Sequence, residues 1–354
     1  MHLFVDISSH GFGHLAITAP VLNAVAEIIP DFRLIVRSAL PAAKLQQRIK
    51  TPFNLISAAS DFGYVMIDAT RVDLAASASA YHQAHTDWAG SIADEACFLA
   101  SLKLDLVLTN VSYLPLAGAA AAGIPALSLC SLNWADLFGH FFGDQSWAPP
   151  IHAEMLAAYR SAQAFLRVTP GMAMAALGNI QPVSPIAAHG KQHKLKLNGD
   201  KAILIAMGGI AHRLPVENWP RLPGVRWLVP AEWNCRHPDA IAGESFGLSF
   251  TDLLCSVDAI ITKPGYGTFT EAACNGIPVI YQRREDWPEQ NCLIEWLTGN
   301  ARCLEIEAAD LESGRLTAAI EGVLSQKPSP VPTADGICQA ANAIIRYASA
   351  KIPA

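Results

Sequence analysis

The sequence predicts an α/β protein with two domains, each built around a parallel sheet. Its 354 residues exceed the length of one typical domain of about 150 residues. Hydrophobic residues make up 51% of the chain and charged residues 16%, a composition that supplies large apolar cores. Short apolar runs without polar alternation recur between helical patterns, as expected of parallel strands that are covered on both faces.

The first half of the chain contains repeated strand–helix units. Apolar runs predict strands at residues 2–7, 32–36, 104–109 and 126–129. A helix that ends before Pro30 is predicted by apolar residues at helical spacing, which are Ile17, Val21, Val25 and Ile28. Shorter helices are expected at residues 42–49 and 116–122.

The second half repeats this organisation. Strands are predicted at residues 202–207, 225–229, 259–262 and 279–281, with a helix at 269–274. Residues 166–200 are poor in large apolar side chains and contain Pro170, Pro182 and Pro185, which is typical of an interdomain connection. The predicted domains are therefore residues 1–165 and 166–332, and residues 333–354 contain a further helix.

Charge and cysteine usage exclude several classes of protein. The formal net charge is −6, and basic residues are not concentrated as they are in nucleic-acid-binding proteins. The eight cysteines include no CxxC pair, so neither a disulfide framework nor a zinc site is expected. The N-terminus lacks the pattern of a signal peptide, and the uncharged stretch between Asp105 and Asp136 is interrupted by proline and glycine. We expect a cytoplasmic protein, at most peripheral to the inner face of the membrane.

A glycine-containing loop follows the first predicted strand and opens the first helix. Gly11 and Gly13 let the backbone approach a ligand, and the helix start favours negative charge. With Ala16 they also fit a loose dinucleotide fingerprint, in which Arg37 would take a 2′-phosphate. A structural turn remains an alternative to both readings.

Two histidines, His10 and His14, belong to the same loop. The intervening glycines make a metal pair on one helical face improbable. The chain also lacks an Asp-x-Asp pair, so no metal site is expected.

A second glycine-rich turn joins the strand at 259–262 to a helix. The N–H groups of Gly267 and Thr268 are placed to hold a diphosphate, and Glu271 lies where a carboxylate can accept hydrogen bonds from a ribose. A plain helix-start acid is the alternative interpretation of Glu271. The Gly208-Gly209 turn after an earlier strand favours the binding interpretation. Arg283 and Arg284 either neutralise phosphate or form an exposed pair.

The stretch 251–297 resembles the nucleotide-sugar site of GT-B glycosyltransferases. It is similar to the group containing the peptidoglycan N-acetylglucosaminyltransferase, and to the glycosyltransferase-like N-terminal region of arabinokinase-type proteins. The residues that carry the resemblance are Gly265, Gly267, Thr268, Glu271, Ala272, Gly276 and Pro278. The loop at residues 10–14 and the stretch 119–133 resemble the same proteins.

This resemblance implies two Rossmann-like domains facing a central cleft. Residues 1–165 would form the acceptor-side domain and 166–332 the donor domain, with the helix in 333–354 crossing back to the first. The expected donor-nucleotide residues are Gly208, Gly209, Lys263, Gly265, Gly267, Thr268 and Glu271. The expected donor-sugar residues are Asp286, Glu289 and Gln290. The expected acceptor-side residues are His10, Gly11, Gly13, Asn133 and Trp134. His14 is the expected catalytic residue, which would either deprotonate an acceptor hydroxyl or orient the diphosphate.

The function expected from these residues is glycosyl transfer from a nucleoside-diphosphate sugar, with UDP as the expected nucleotide. No metal or other cofactor is expected, and the acceptor is a small molecule, a lipid-linked compound or another hydroxyl compound. Three alternatives stay open, which are a nucleotide-sugar hydrolase, an NADP-binding enzyme and a non-catalytic sugar-nucleotide sensor.

Overall fold

The computed structural model describes residues 1–210 and 212–350 and divides the chain into two compact units. Unit 1 contains Met1–Val65, Val72–Ile186 and the residues from Asp335 onward. Unit 2 contains Met66–Arg71 and Ala187–Ala334. The last four residues of the predicted 333–354 helix lie outside the described residues.

The described part of unit 1 holds a seven-stranded sheet in which every pair of neighbours is parallel, in the order β3-β2-β1-β4-β5-β6-β7. Its strands are β1 (His2–Ile7), β2 (Arg33–Arg37), β3 (Asn54–Ile56), β4 (Leu106–Asn110), β5 (Ala126–Cys130), β6 (Ala164–Val168) and β7 (Ile180–Val183). The strands β4 and β5 are buried at every position, which explains their uninterrupted apolar sequences.

The boundary of unit 1 lies at Ile186 rather than at 165. The reason is that β6 and β7 pair in register with the first sheet, with Phe165 opposite Ile180 and Val168 opposite Val183. Both strands are short and β7 contains Pro182, which is tolerated on an edge strand. The prolines that suggested a linker therefore belong partly to a sheet edge.

Helices cover the sheet of unit 1. They are α1 (Phe12–Ile28), α2 (Ala42–Arg48), α3 (Leu74–Ala84), α4 (Trp88–Ser101), α5 (Leu114–Ala121), α6 (Trp134–Phe142) and α7 (Ala148–Ser161). In α1 the predicted apolar positions are buried except for Ile28, which is 52% exposed at the helix end. Side chains of Asp73, Asp87 and Asn133 cap α3, α4 and α6 by accepting a backbone N–H.

Unit 2, described except for residue 211, holds a six-stranded parallel sheet in the order β10-β9-β8-β11-β12-β13. Its strands are β8 (Lys201–Ala206), β9 (Val225–Val229), β10 (Ala240–Ala242), β11 (Ala259–Thr262), β12 (Val279–Tyr281) and β13 (Cys303–Glu305). Its helices are α8 (Phe250–Cys255), α9 (Tyr266–Cys274), α10 (Gln290–Asn300), α11 (Ala308–Ser313) and α12 (Thr317–Ser325). The two parallel sheets confirm the predicted α/β fold class.

The last helix, α13 (Gly336–Ser349), belongs to unit 1 and packs against α1. Its first residue comes so close to the preceding connection that a Cβ atom at Gly336 would lie 2.0 Å from the carbonyl oxygen of Ser184. The N–H of Gly336 donates to the carbonyl of Pro185. Glycine therefore fits this position because the backbones are in contact.

We expect Gly336→Ala to lower the free energy of unfolding by about 1–3 kcal/mol, because the added methyl group must displace the backbone of Ser184. Gly299→Ala in α10 is the matched control, since a Cβ there meets nothing within 4 Å. That control should be neutral or stabilising by up to about 1 kcal/mol. Urea denaturation of both variants measures the difference, and equal effects would contradict the close packing of α13.

Candidate functional site

Each sheet reverses its strand order next to its first strand. In unit 1, β1 lies between β2 and β4, and in unit 2, β8 lies between β9 and β11. Crossover connections leave in opposite directions at such a point, and ligands of open α/β sheets bind there, beyond the carboxyl ends of the strands. The predicted loops around His14 and Gly265 both follow strands at these positions.

In unit 2, the turns after β8 and β11 lie against each other. Gly208 has a φ of +90°, which favours glycine, and a Cβ there would lie 3.6 Å from the Lys263 ammonium nitrogen. Helix α9 begins at Tyr266, three residues before the predicted start, with Gly265 as its extended N-cap. The structure thus brings Gly208, Lys263 and the helix start together.

Two cations share this region. Burial and the neighbouring Arg284 guanidinium lower the pKa of Lys263 to about 7, against the opposing effect of Glu289. Burial also lowers the pKa of Arg284 to about 10, although Glu289 and Asp68 favour its charged form. The described residues place no carboxylate within 4.0 Å of either cation.

Arg284 is buried with two of its guanidinium nitrogens unused among the described residues. The side chain is 6% exposed, and its guanidinium carbon lies 3.8 Å from the centre of the Trp287 ring. Its Nε and one terminal nitrogen are buried without a hydrogen-bond partner among the described residues. A buried charged donor without a partner is costly, so this arrangement favours an anion that brings acceptor oxygens.

The segment that follows β12 contains the predicted sugar-binding residues. Gln290 uses its amide inside the protein, accepting from the N–H of Arg284 and donating to the carbonyl of the same residue. Glu289 accepts the indole N–H of Trp287 at 3.1 Å, and Asp286 is exposed. Gln290 thus positions Arg284 in this structure. Contacts of these residues with a donor sugar stay a prediction.

Glu271 is the sixth residue of α9 and is 1% exposed. The helix dipole favours an acid only in the first turn, so it does not explain this residue. Thr268 is partly exposed within the first turn, and Gly267 is buried with helical geometry. The role of Gly267 in phosphate binding stays a prediction.

Sequence reasoning missed the contribution of Met66–Arg71 to unit 2. Asp68 pairs with Arg71 at 2.8 Å, and the N–H of Glu285 donates to the carbonyl of Thr70. The negative charge of Asp68 favours the charged forms of both Arg284 and His212. No local sequence signal places this segment beside residues more than 200 positions later.

In unit 1, a hydrogen-bond network fixes the His14 ring. Its Nδ1 lies 2.8 Å from Asn110 Oδ1, and Asn110 Nδ2 donates to the His14 carbonyl and to Thr18 Oγ1. Because the amide nitrogen is engaged by these two acceptors, Oδ1 must accept from Nδ1–H. The unprotonated nitrogen of neutral His14 is therefore Nε2.

Burial lowers the pKa of His14 to about 4, although the Asn110 hydrogen bond acts in the opposite direction. This value lies below the ordinary histidine pKa of about 6.5, because the ring is 8% exposed and its partner is uncharged. His14 is neutral at pH 7 and can accept a proton through Nε2.

The other predicted acceptor-side residues differ in environment. A Cβ at Gly11 or Gly13 would meet nothing within 4 Å, so the space beside this loop is open. His10 packs edge-on against Trp134, whose indole N–H donates to Asp61 at 2.7 Å. Asn133 is fully buried as the cap of α6. Trp134 and Asn133 thus have structural roles, and their contact with an acceptor stays a prediction.

The structure does not support a 2′-phosphate site at Arg37. Its guanidinium donates to Asp6 and forms two bonds to Glu95, and the side chain is buried between Phe4 and Phe98. Every nitrogen of Arg37 is already used, so the NADP alternative loses the residue that suggested it.

The chain is similar to known proteins over most of its length. No protein-family model matches it. It is 24% identical over 339 residues to the L-arabinokinase of Arabidopsis thaliana, and the match covers 91% of this chain but 32% of that protein. The chain therefore spans about a third of the length of this curated relative.

Solved structures resemble it throughout. The calicheamicin glycosyltransferase CalG4 superimposes with a TM-score of 0.62 at 14% identity, over 100% of both chains. A putative UDP-N-acetylglucosamine 2-epimerase from Listeria monocytogenes superimposes with a TM-score of 0.54 at 14% identity, over 97% of this chain and 94% of its own. The chain has the GT-B fold. The resemblance predicted from the glycine-rich turns is confirmed at the level of the fold.

The described residues contain neither a membrane-spanning helix nor a cluster of metal ligands. None of the helices in residues 1–210 and 212–350 is both long and apolar enough to cross a membrane. The same residues contain no group of three His, Cys, Asp or Glu side chains placed to hold a metal ion.

We expect Asn110→Asp to raise the pKa of His14 by at least about one unit, because a carboxylate stabilises the imidazolium that a neutral amide does not. NMR titration of the His14 ring protons measures the change, and His14→Gln identifies the resonance. A pKa that stays near 4 in the folded variant would contradict the assigned contact between Asn110 and Nδ1.

Proposed function

We propose that the chain transfers a glycosyl group from a nucleoside-diphosphate sugar to an acceptor hydroxyl, and that unit 2 binds the donor. The observation that carries this proposal is the buried Arg284 guanidinium with unused donors beside Lys263 and the start of α9. A diphosphate matches this site, because it carries two negative charges and several acceptor oxygens. The structural neighbours include the glycosyltransferase CalG4 and a putative UDP-N-acetylglucosamine 2-epimerase, and both support a sugar nucleotide as the ligand.

The same groups suit the leaving diphosphate. Negative charge builds up on it as the bond to the sugar breaks, and preorganised donors aimed at that charge lower the barrier. Lys263, Arg284 and the first N–H groups of α9 would provide this stabilisation. We accordingly propose a reaction that needs no metal ion and no other cofactor.

In this proposal His14 accepts the proton of the acceptor hydroxyl. Asn110 leaves Nε2 as its basic nitrogen, and burial keeps the ring neutral. A general base with a pKa of about 4 is available throughout the neutral range, and turnover should fall only on approach to pH 4. A nucleotide-sugar hydrolase would use water in place of the acceptor, and a sensor would release no product.

A thermal-shift screen of UDP-, GDP-, CDP- and dTDP-linked sugars identifies the donor, with the UDP-linked sugar expected to bind best. Product analysis with that donor, with and without added hydroxyl compounds, then separates transfer, hydrolysis and binding alone. Release of free sugar at a rate that no acceptor changes would contradict the transfer proposal.

We expect Arg284→Gln to weaken donor binding about 10- to 100-fold, because hydrogen bonds to charged groups are worth about 1.5–3 kcal/mol. Arg283→Gln is the matched control, since it removes the same charge from the adjacent position. Arg283 is exposed and pairs with Glu305. Isothermal titration measures both affinities, and equal weakening by the two variants would contradict an anion site at Arg284.

Donor binding should be coupled to uptake of a proton by Lys263. A bound diphosphate favours the ammonium form and so raises a pKa that is about 7 in the free chain. Affinity should therefore be highest below this pKa and should fall as the pH rises from about 7 to 9. Titration of UDP-glucose in two buffers of different ionisation enthalpy measures the protons taken up, and Lys263→Met should abolish the uptake. An affinity that does not change over this pH range would exclude Lys263 from the site.

His14→Gln should lower turnover by at least about 100-fold while donor affinity changes only a few-fold, because a general base contributes to the chemical step. Single-turnover kinetics and isothermal titration give the two values. Equal losses in both would indicate that His14 contributes to donor binding instead.

A further inference from the structure

A cavity lies in unit 1, outside the region of unit 2 that is proposed to bind the donor. It is bounded by residues 60–63, the facing parts of α3 and α4, the residues at the start of α5, and Trp134. Its volume is about 60 Å³. A buried water needs roughly 10–15 Å³ of such volume, so the cavity has room for a small polar group of a few heavy atoms.

The side-chain donors around this cavity are already used inside the protein. Ser60 donates to Asp6, Tyr81 to the Gly63 carbonyl, Ser91 to the Asp87 carbonyl, and the Trp134 indole to Asp61. Each of these hydroxyl oxygens can therefore only accept from a ligand.

The Tyr113 hydroxyl is also left with only acceptor capacity, because its proton is donated to His85. Glu154 lies 2.6 Å from His85 Nδ1, and His85 Nε2 lies 2.8 Å from the Tyr113 hydroxyl. Burial lowers the pKa of His85, so its ring is neutral at pH 7. Because a carboxylate only accepts, Nδ1 carries the proton, Nε2 accepts from Tyr113, and the phenol oxygen has only lone pairs left. Trp88 is the remaining lining side chain with an N–H group.

The wall also carries the negative charge of Asp61, which accepts hydrogen bonds from Ser8 and from the Trp134 indole but is paired with no cationic side chain among the described residues. Asp61 lines the cavity, and none of the lining residues is Lys, Arg or His. Asp6, which is close to Asp61, is already paired with Arg37, and Arg37 is shared with Glu95. Two carboxylates thus already share this guanidinium, and burial together with Asp6 raises the pKa of Asp61 to about 6.

Aromatic rings complete the enclosure. Trp88 and Phe62 are partly exposed, and with Tyr113 they line the cavity around the carboxylate. The faces of such rings attract cations electrostatically, and Trp does so most strongly.

We propose that this cavity binds a small organic cation, a primary ammonium on a short hydroxylated carrier, which donates hydrogen bonds to Asp61 and to the hydroxyl oxygens of the wall. The ligand supplies the positive charge that the wall lacks and the hydrogen-bond donors that its hydroxyl groups no longer offer. This proposal does not depend on glycosyl transfer.

Three probes of one skeleton test the charge preference. Ethanolamine, ethylene glycol and glycolate have similar size but are cationic, neutral and anionic at pH 7. The readout is the ¹⁵N-edited NMR spectrum of the indole groups, in which Trp134 reports directly on Asp61 and Trp134→Phe identifies its signal. We expect ethanolamine to shift this signal saturably and to bind at least about tenfold more tightly than ethylene glycol, as an ion pair with partial desolvation requires. Glycolate should cause no shift.

A pH titration of the Trp134 signal in the wild-type protein provides a second test. Its midpoint should lie near pH 6 and move to lower pH with ethanolamine, because a bound cation stabilises the carboxylate. The His10 and His14 rings also pack against Trp134; the pKa of His14 is about 4, and recording the titration in His10→Gln as well removes any contribution of His10. Ethylene glycol should leave the midpoint unchanged.

Asp61→Asn should abolish the preference for ethanolamine, whereas Asp94→Asn, an exposed change of the same charge in α4, should keep it. The proposal is overturned if ethylene glycol binds as tightly as ethanolamine, which would indicate a polyol site. It is also overturned if no probe shifts the Trp134 signal. If Asp61→Asn does not fold, the wild-type pH titration still decides between these outcomes.

Discussion

The reversal of strand order beside β1 and beside β8 positions the polar groups of both units. Within each unit the described strands are all parallel, so their carboxyl ends lie at the same edge of that sheet. The loops that leave this edge lead into crossover connections rather than hairpins, which leaves them available for a ligand. Asn110 ends β4 and His14 lies in the first turn of α1, so their contact follows from the pairing of β1 with β4. Gly208 and Lys263 meet for the same reason, because β8 pairs with β11. The fold thus brings together residues that are 55 to 96 positions apart.

Burial of charge then gives the two edges opposite character. In unit 1, Asp6 and Glu95 hold Arg37, and Asp61 adds a further acid. In unit 2, Lys263 and Arg284 repel each other, with Glu289 as the nearby acid. Burial amplifies both imbalances because solvent screens these charges poorly. This difference in charge is the basis of the two proposed sites, an anion site in unit 2 and a cation site in unit 1.

The sequence predicted the central strands of both sheets, which are β1, β2, β4 and β5 in unit 1 and β8, β9, β11 and β12 in unit 2, because these strands are apolar runs. It also predicted the glycine-rich turns. It missed β3, β6, β7, β10 and β13, which lie at or next to the edges of the sheets. It could not distinguish Arg283 from Arg284. They are adjacent and chemically identical, yet one pairs with Glu305 at the surface and the other stacks on Trp287. The end of unit 1 was misplaced because β7 contains proline and has only one fully buried residue, so it lacks the apolar run by which strands were identified. The Met66–Arg71 segment and Asp61 were missed because their surroundings arise only from tertiary contacts.

The protonation state of His14 is another property that could not be predicted from the sequence. A histidine in a glycine-rich loop suggests a base with an ordinary pKa, but the partner of its Nδ1 decides the outcome. A carboxylate there would favour the imidazolium and raise the pKa, whereas the Asn110 amide fixes the ring without adding charge. The Asn110 hydrogen bond therefore opposes only part of the lowering of the pKa by burial, and the ring stays neutral at pH 7. With the Asn110 amide as partner, His14 has a defined tautomer but is a weaker base than a histidine paired with a carboxylate. Nε2 keeps its lone pair at every pH above the lowered pKa. In the proposed glycosyl transfer, such a base suits an acceptor whose hydroxyl loses its proton only late in the reaction, because strong proton abstraction is then not required before the bond to the sugar breaks.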